Sequence, residues 1–240
     1  MTGLANLLVT LMTPALLVLG NILLVMTPFW LSAAYTRPGF PRDSYGLSTS
    51  DRIELAALVT NWLGNDQELN ALADLITPDG QKAFNARELR HLLDVKLLTG
   101  HFYRLAFTAL TLLGVGSAIC HRRGVLRQAL QRAAHLTLAL LLAILVFSAA
   151  SWDQAFTEFH RLFFASGTWY FAYSDTLIRL FPERFWIDAL LFLAGLTALQ
   201  ALALIWLTSP TATGWKTLRQ LIYWRRRDSG VTGLEQAKRP

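Results

Sequence analysis

Apolar residues along this chain gather into four runs, and the polar residues lie between them. Leu7–Leu31 holds no charged side chain. Leu105–Cys120, His135–Ser151 and Ala189–Leu207 hold none beyond whatever proton His135 carries. A helix rises about 1.5 Å per residue, so ~20 apolar residues cross the ~30 Å hydrocarbon of a bilayer. The first and fourth runs meet that length outright, and the second and third meet it by extending into Phe102–Arg104 and Arg132–Ala134. The pattern predicts an all-α membrane protein with four transmembrane helices.

The stretch between the first two runs reads as a small helical cap. Arg37-Pro-Gly-Phe-Pro41 is a turn-rich exit. Thr49-Ser-Asp51 then opens a helix to about Leu63, with Ile53, Leu55, Leu58, Val59 and Trp62 as its apolar face. Asn65-Asp-Gln-Glu68 and Asn85-Ala-Arg-Glu88 both have capping-box spacing. They predict one helix to about Ile76 and another running through His91, Asp94 and Leu98 toward the second span, with Thr77-Pro-Asp-Gly80 as the turn between them. So small a cap lacks an independent core and is expected to rest on the membrane helices.

Charge orients the spans. Arg122, Arg123, Arg127 and Arg132 stand between the second and third runs with no acid among them, and the tail after Leu207 is also basic. Thr36–Arg104 instead carries eight basic and nine acidic residues, and Trp152–Trp186 three and four. Positive segments stay in the cytoplasm, so both termini are expected inside and both long connections outside. The domain reading is a first transmembrane helix at 1–35, an extracytoplasmic helical cap at 36–101, and three further transmembrane helices at 102–207. An aromatic-rich outer loop lies at 152–186 and a basic cytoplasmic tail at 208–240. Net charge of +6 then reports topology and lipid headgroups, with no nucleic acid as partner. Ser32-Ala-Ala34 imitates a signal-peptidase site, but the apolar run before it is too long and lacks a basic start, so it reads as a retained helix. The single cysteine, Cys120, excludes an intrachain disulfide.

Chemistry concentrates in two places. No Gly-rich phosphate loop, nucleophile elbow, His-Glu-x-x-His or cysteine pair is present. Phe156–Trp186 is densely aromatic, as an interfacial belt would be, yet it embeds His160, Asp175 and Arg179, and polar groups in apolar surroundings need partners or a task. Glu88-Leu-Arg-His91-Leu-Leu-Asp94 places His91 and Asp94 three apart on one helical face, where the carboxylate orients the imidazole or forms an ordinary surface pair. No span holds a charge near its centre, which weakens a transporter; Asn21 and Gln200 are its most polar interior groups. A membrane scaffold or accessory protein whose outer aromatics bind a partner is the non-enzymatic alternative.

His91-Leu-Leu-Asp-Val-Lys96, then Phe159-His160-x-x-Phe-Phe164, Trp169-x-Phe171, Asp175-Thr-Leu-Ile178, Leu180-Phe-Pro-Glu183 and Phe185-Trp186 together resemble the lipoprotein intramolecular transacylase (Lit) family. Ala165-Ser-Gly-Thr168 departs from the Asn-Asp pair that the family has before the tryptophan. The resemblance implies a bacterial cell-membrane acyltransferase acting on diacylglyceryl-modified lipoproteins. The sn-2 acyl chain moves onto the α-amine of the N-terminal lipidated cysteine, giving a lyso-form lipoprotein, with no cofactor and no metal. It also implies His91 and His160 as the catalytic pair, supported by Asp94, Asp175 and Arg179, with Phe163, Phe164, Trp169 and Phe171 lining the substrate pocket. Asp175 and Arg179, four apart, equally fit a mutual structural pair.

Overall fold

The structure is a computed structural model that describes residues 2–209, so the basic tail expected at 208–240 lies almost wholly outside the described residues. Among them there is no strand, and the helices long and apolar enough to cross a membrane are α1 (Thr2–Val25), α5 (Ala86–Arg122), α6 (Leu126–Ala150) and α9 (Glu183–Leu207). That is the fold class the hydropathy predicts. α1 is the central helix, packing against α5, α6 and α9.

Two different contacts hold the bundle, because lipid tails give no hydrophobic drive between helices. Near one end, α1 and α5 approach so closely that a Cβ on Gly116 would lie 3.2 Å from the Ala5 carbonyl oxygen and from Val9. Ala5, Val9, Cys120 and Ala129 close that contact as a buried cluster. Deeper in the span, Asn21 donates to Thr197 Oγ1 and Gln200 Oε1, each at 2.8 Å, and Gln200 donates back at 3.3 Å. The two most polar interior residues thus satisfy one another, as buried amides in hydrocarbon must.

The first span is not one helix to residue 35. Pro28 has no N–H to continue the ladder, so Thr27 is extended and a second helix, α2 (Pro28–Tyr35), starts afresh with proline in its first turn. α2 and the first turns of α9 form the floor on which the cap rests. α3 (Thr49–Leu63) begins at a Ser48–Asp51 capping box and buries Leu55, Val59 and Trp62 against Trp30, Leu31, Tyr35 and Phe185; Leu58, expected inward, is exposed.

Asn65–Glu68 does not open a helix. The Asn65 side chain accepts from Gln67 N, an Asx-type turn that its capping spacing imitates, and only the short α4 (Asn70–Ala73) follows. Asn85 and Glu88 do form the expected capping box, and the helix they start runs unbroken for 37 residues. At about 1.5 Å per residue α5 is far longer than a bilayer is thick. Its charged residues gather in the first half, and the long apolar stretch follows Arg104. The boundary expected at 101–102 is thus the middle of a helix. The 152–186 segment is likewise not a plain loop. It contains the amphipathic α7 (Trp152–Phe163), N-capped by Ser151, and the short α8 (Thr176–Leu180).

Gly116→Leu is expected to push α1 and α5 apart and destabilise the protein by about 1–3 kcal/mol. Gly114→Leu, where a Cβ meets nothing within 4 Å, is the control. Thermal unfolding in detergent should separate the two; equal midpoints would mean that the helices do not depend on this contact.

Candidate active site

His91 sits on α5 just inside the cap, and His160 on the last turn of α7. Nearly seventy residues apart in sequence, their rings come within 6.2 Å, centroid to centroid, with planes 24° apart. No hydrogen bond joins them. Aromatic rings enclose the pair: Phe164 lies 4.9 Å from His91 and 5.7 Å from His160, Phe171 lies 5.4 Å from His91, and Trp169 lies 4.7 Å from His160. Phe163, the remaining pocket candidate, packs on Phe102 and Phe159 instead.

His160 Nδ1 is 2.8 Å from the Phe156 carbonyl oxygen, one helical turn back. A carbonyl only accepts, so Nδ1 carries the proton and Nε2 keeps a free lone pair. The Phe156 ring also covers the imidazole at 4.1 Å. Phe156 was missed among the candidates; reading 152–163 as a helix would have found it, since it stands four residues before His160. His91 differs. It is buried, and its Nδ1 has no hydrogen-bond partner among the described residues.

Burial sets the charge of both rings. Desolvation, helped by the neighbouring His160, pulls His91 from 6.5 down to about 4. Desolvation also lowers His160, partly offset by its bond to the Phe156 carbonyl. At neutral pH the site holds two uncharged imidazoles.

Asp94 does not orient His91. No hydrogen bond joins them, because the imidazole turns into the ring cage where Phe164 and Phe171 are its neighbours, while Asp94 stays half-buried on the helix flank. With no carboxylate bound to it, the His91 imidazole is less basic than a free one. Asp175 and Arg179 do not pair either. One helical turn joins their backbones, Arg179 N donating to the Asp175 carbonyl at 3.2 Å, but the side chains diverge and each reaches another segment. Asp175 accepts from Arg87 at 2.9 Å, from Asn85 at 3.1 Å and from Ala172 N at 2.8 Å. Arg179 forks onto the buried Asp43 at 2.9 and 3.1 Å. Both fasten backbone around the cage.

Glu88 has the same use, and beyond the expected capping box it makes a second bond that the sequence does not reveal. One carboxylate oxygen caps α5 at Asn85 N, and the other accepts at 2.7 Å from Leu177 N, in the first turn of α8. Burial raises its pKa. His101 is exposed, with Nδ1 on the Leu97 carbonyl, and takes no place in the cage.

The family model for the lipoprotein intramolecular transacylase Lit matches residues 7–186. The chain belongs to the Lit family. It is therefore a multi-pass membrane transacylase, an acyltransferase. A relative in Aquifex aeolicus (strain VF5), described as an uncharacterized protein, is 32% identical over 165 residues, covering 69% of this chain and 74% of that one. The solved structure of Lit from Bacillus cereus is 18% identical and superposes with a TM-score of 0.72 over 95% of this chain and 98% of that chain. A variant of that protein with one histidine replaced by alanine gives 0.65 at 17% identity, over 95% and 96%. At such identities these structures speak for the shared fold. Among the described residues no three His, Cys, Asp or Glu side chains converge as metal ligands do.

The neutral pair has a consequence for stability. An unfolded histidine takes its proton near pH 6.5, whereas folded His91 resists it down to about 4. As pH falls the unfolded state binds protons first. This part of the stability is complete above 6.5 and is lost between there and about 4. Histidine NMR in micelles should show the His91 ring still neutral at pH 5.5; titration near 6.5 would contradict the buried site.

Proposed function

We propose that this chain transfers the sn-2 acyl group of a diacylglyceryl lipoprotein to the α-amine of that lipoprotein's N-terminal cysteine, with His160 as the base. The observation that carries this reading is the His160 tautomer. With Nδ1–H held by the Phe156 carbonyl, Nε2 is an acceptor of fixed direction, in a site too apolar to charge it beforehand.

The amine, with an ordinary pKa of about 7.7–8.0, attacks in its neutral form. Its nitrogen bonds to the ester carbonyl carbon and the carbonyl oxygen becomes an oxyanion. His160 Nε2 takes the proton that the nitrogen must lose and returns it to the glyceryl sn-2 oxygen as the C–O bond breaks. The products are an amide and a free hydroxyl, so atoms and charge balance within one substrate molecule. His91, whose Nδ1 no protein group occupies, is left for the departing glyceryl oxygen. Nucleophile and ester already share a molecule, so the rings of Phe164, Trp169 and Phe171 serve to fold the substrate into the attacking geometry and keep water out. Two uncharged imidazoles suit this task, since a protonated pair would offer no base.

The acyl chains belong to a lipid anchored in the outer leaflet, and the cage stands at the cap end of the bundle, beyond the start of the α5 span at Phe102. With the arginines of Arg122–Arg132 inside, the cap and cage face outward. Reporter fusions at Gly80 and Gly167 should therefore behave as extracytoplasmic and one at Gly124 as cytoplasmic. A cytoplasmic signal at Gly80 would put the cage on the wrong side for this substrate.

His91→Ala and His160→Ala are each expected to lower formation of the N-acylated lyso product by about 10²–10⁴-fold, read by mass spectrometry on a diacylglyceryl lipopeptide. His121→Ala and His135→Ala lie at the opposite end of the spans and should stay within a few-fold. Near-normal turnover in a folded His160→Ala protein would sink the base assignment.

A further inference from the structure

The cage contains a second polar atom that nothing in the protein uses. Trp169 is 6% exposed, and its indole N–H has no acceptor among the described residues. Elsewhere the same group is satisfied: Trp62 donates to the Glu68 carbonyl at 3.0 Å and Trp186 to the Phe181 carbonyl at 3.1 Å. Trp30 also lacks an acceptor, and its ring packs between Phe185 and Phe192, away from the two histidines. Trp169 instead lies against the proposed base.

The geometry of that contact matters. The indole and His160 rings are 4.7 Å apart with planes tilted by 32°. The indole N–H makes no hydrogen bond to the imidazole. It remains available to a third group. The ring is carried into the site by a surface segment: Ala165, Ser166, Gly167 and Tyr170 are all exposed, and Trp169 alone is buried between them.

Resting on the transacylase reading above, we propose that the Trp169 indole N–H is the hydrogen-bond donor to the ester carbonyl oxygen as it becomes an oxyanion. Attack by the amine moves the carbonyl electron pair onto that oxygen, and expulsion of the glyceryl oxygen returns it; the donor neither gains nor loses a proton. An indole suits this role because it donates and never accepts, so it does not compete with the base for the amine's proton. In an apolar enclosure a donor already in place is worth more than in water, since no solvent must reorganise around the developing charge. The neighbouring cation does not substitute for it. Arg87 lies over the Phe171 ring at 5.4 Å and is bound to Asp175.

Two substitutions test this in the full-length protein with a diacylglyceryl lipopeptide. Trp169→Phe keeps a ring against His160 and removes the N–H. Replacing Trp169 by 3-benzothienylalanine puts sulfur where the N–H stands and keeps the bicyclic shape. Both are expected to lower kcat by about 10²-fold while KM stays within about 3-fold and the melting midpoint is kept. Unchanged kcat in either would overturn the proposal. A loss in the Phe variant alone, or a rise in KM alone, would overturn it too, showing the indole to be pocket lining. His160→Ala, run in parallel, keeps the two conclusions apart. If it is dead while both Trp169 variants are active, the base stands and the donor falls. If it is active, the base assignment itself is lost.

Discussion

The carboxylate of Glu88 has to satisfy two helix starts at once, and the site depends on its doing so. One oxygen closes the capping box of α5 and the other takes the Leu177 N–H of α8, so two segments ninety residues apart share one buried group. Around it, Asp175 binds Asn85, Arg87 and Ala172 N, which anchors the same two segments from the exposed side. His91 is one turn below Glu88 on the same helix, and Phe171 is just before the fastened backbone. The stretch from Phe164 to Phe171 must then cross over His91, because both its ends are tied. Removing one partner would leave a buried charge or two bare N–H groups, which is costly enough to make the arrangement all-or-none.

Within that frame the aromatic cage sets the protonation of the site. A histidine surrounded by rings loses hydration that a cation needs, and nothing acidic compensates, so both imidazoles stay neutral. Many catalytic histidines are made more basic by a carboxylate. In the proposed mechanism the fall in basicity has a use: the base is already free at the pH where the substrate amine is still mostly protonated, and no charged pair has to be separated before reaction. The Phe156 carbonyl does the remaining work of a carboxylate, fixing the tautomer and direction of His160 without adding charge. A scaffold using the same aromatic surface would account for the rings and leave this arrangement of histidines unexplained.

The membrane half supplies a rigid floor. The Asn21–Thr197–Gln200 contact ties α1 to α9, and the close approach at Gly116 ties α1 to α5. α5 continues without a break from that contact to the cap. The buried Asp188, bound by Arg37 and Arg184, secures the base of α2 against α9 beneath the cap.

By itself the sequence determined the four spans, the fold class and the capping box at Asn85, because each is carried by residues adjacent in the chain. A run of ~20 uncharged residues leaves a helix no other stable course in hydrocarbon. Local rules went astray where a nearby alternative was equally good. Asn65–Glu68 has the spacing of a helix start but closes an Asx-type turn, and Asp94 and Asp175 each stand at helical spacing from a group they do not bind. Those partnerships were settled only in the tertiary structure, since a buried polar group takes whichever partner packing brings within ~3 Å, and sequence distance does not enter that choice. The convergence of His91 with His160, the second use of Glu88 and the bare indole of Trp169 are of this kind. Each needs segments far apart in the chain to be already in place.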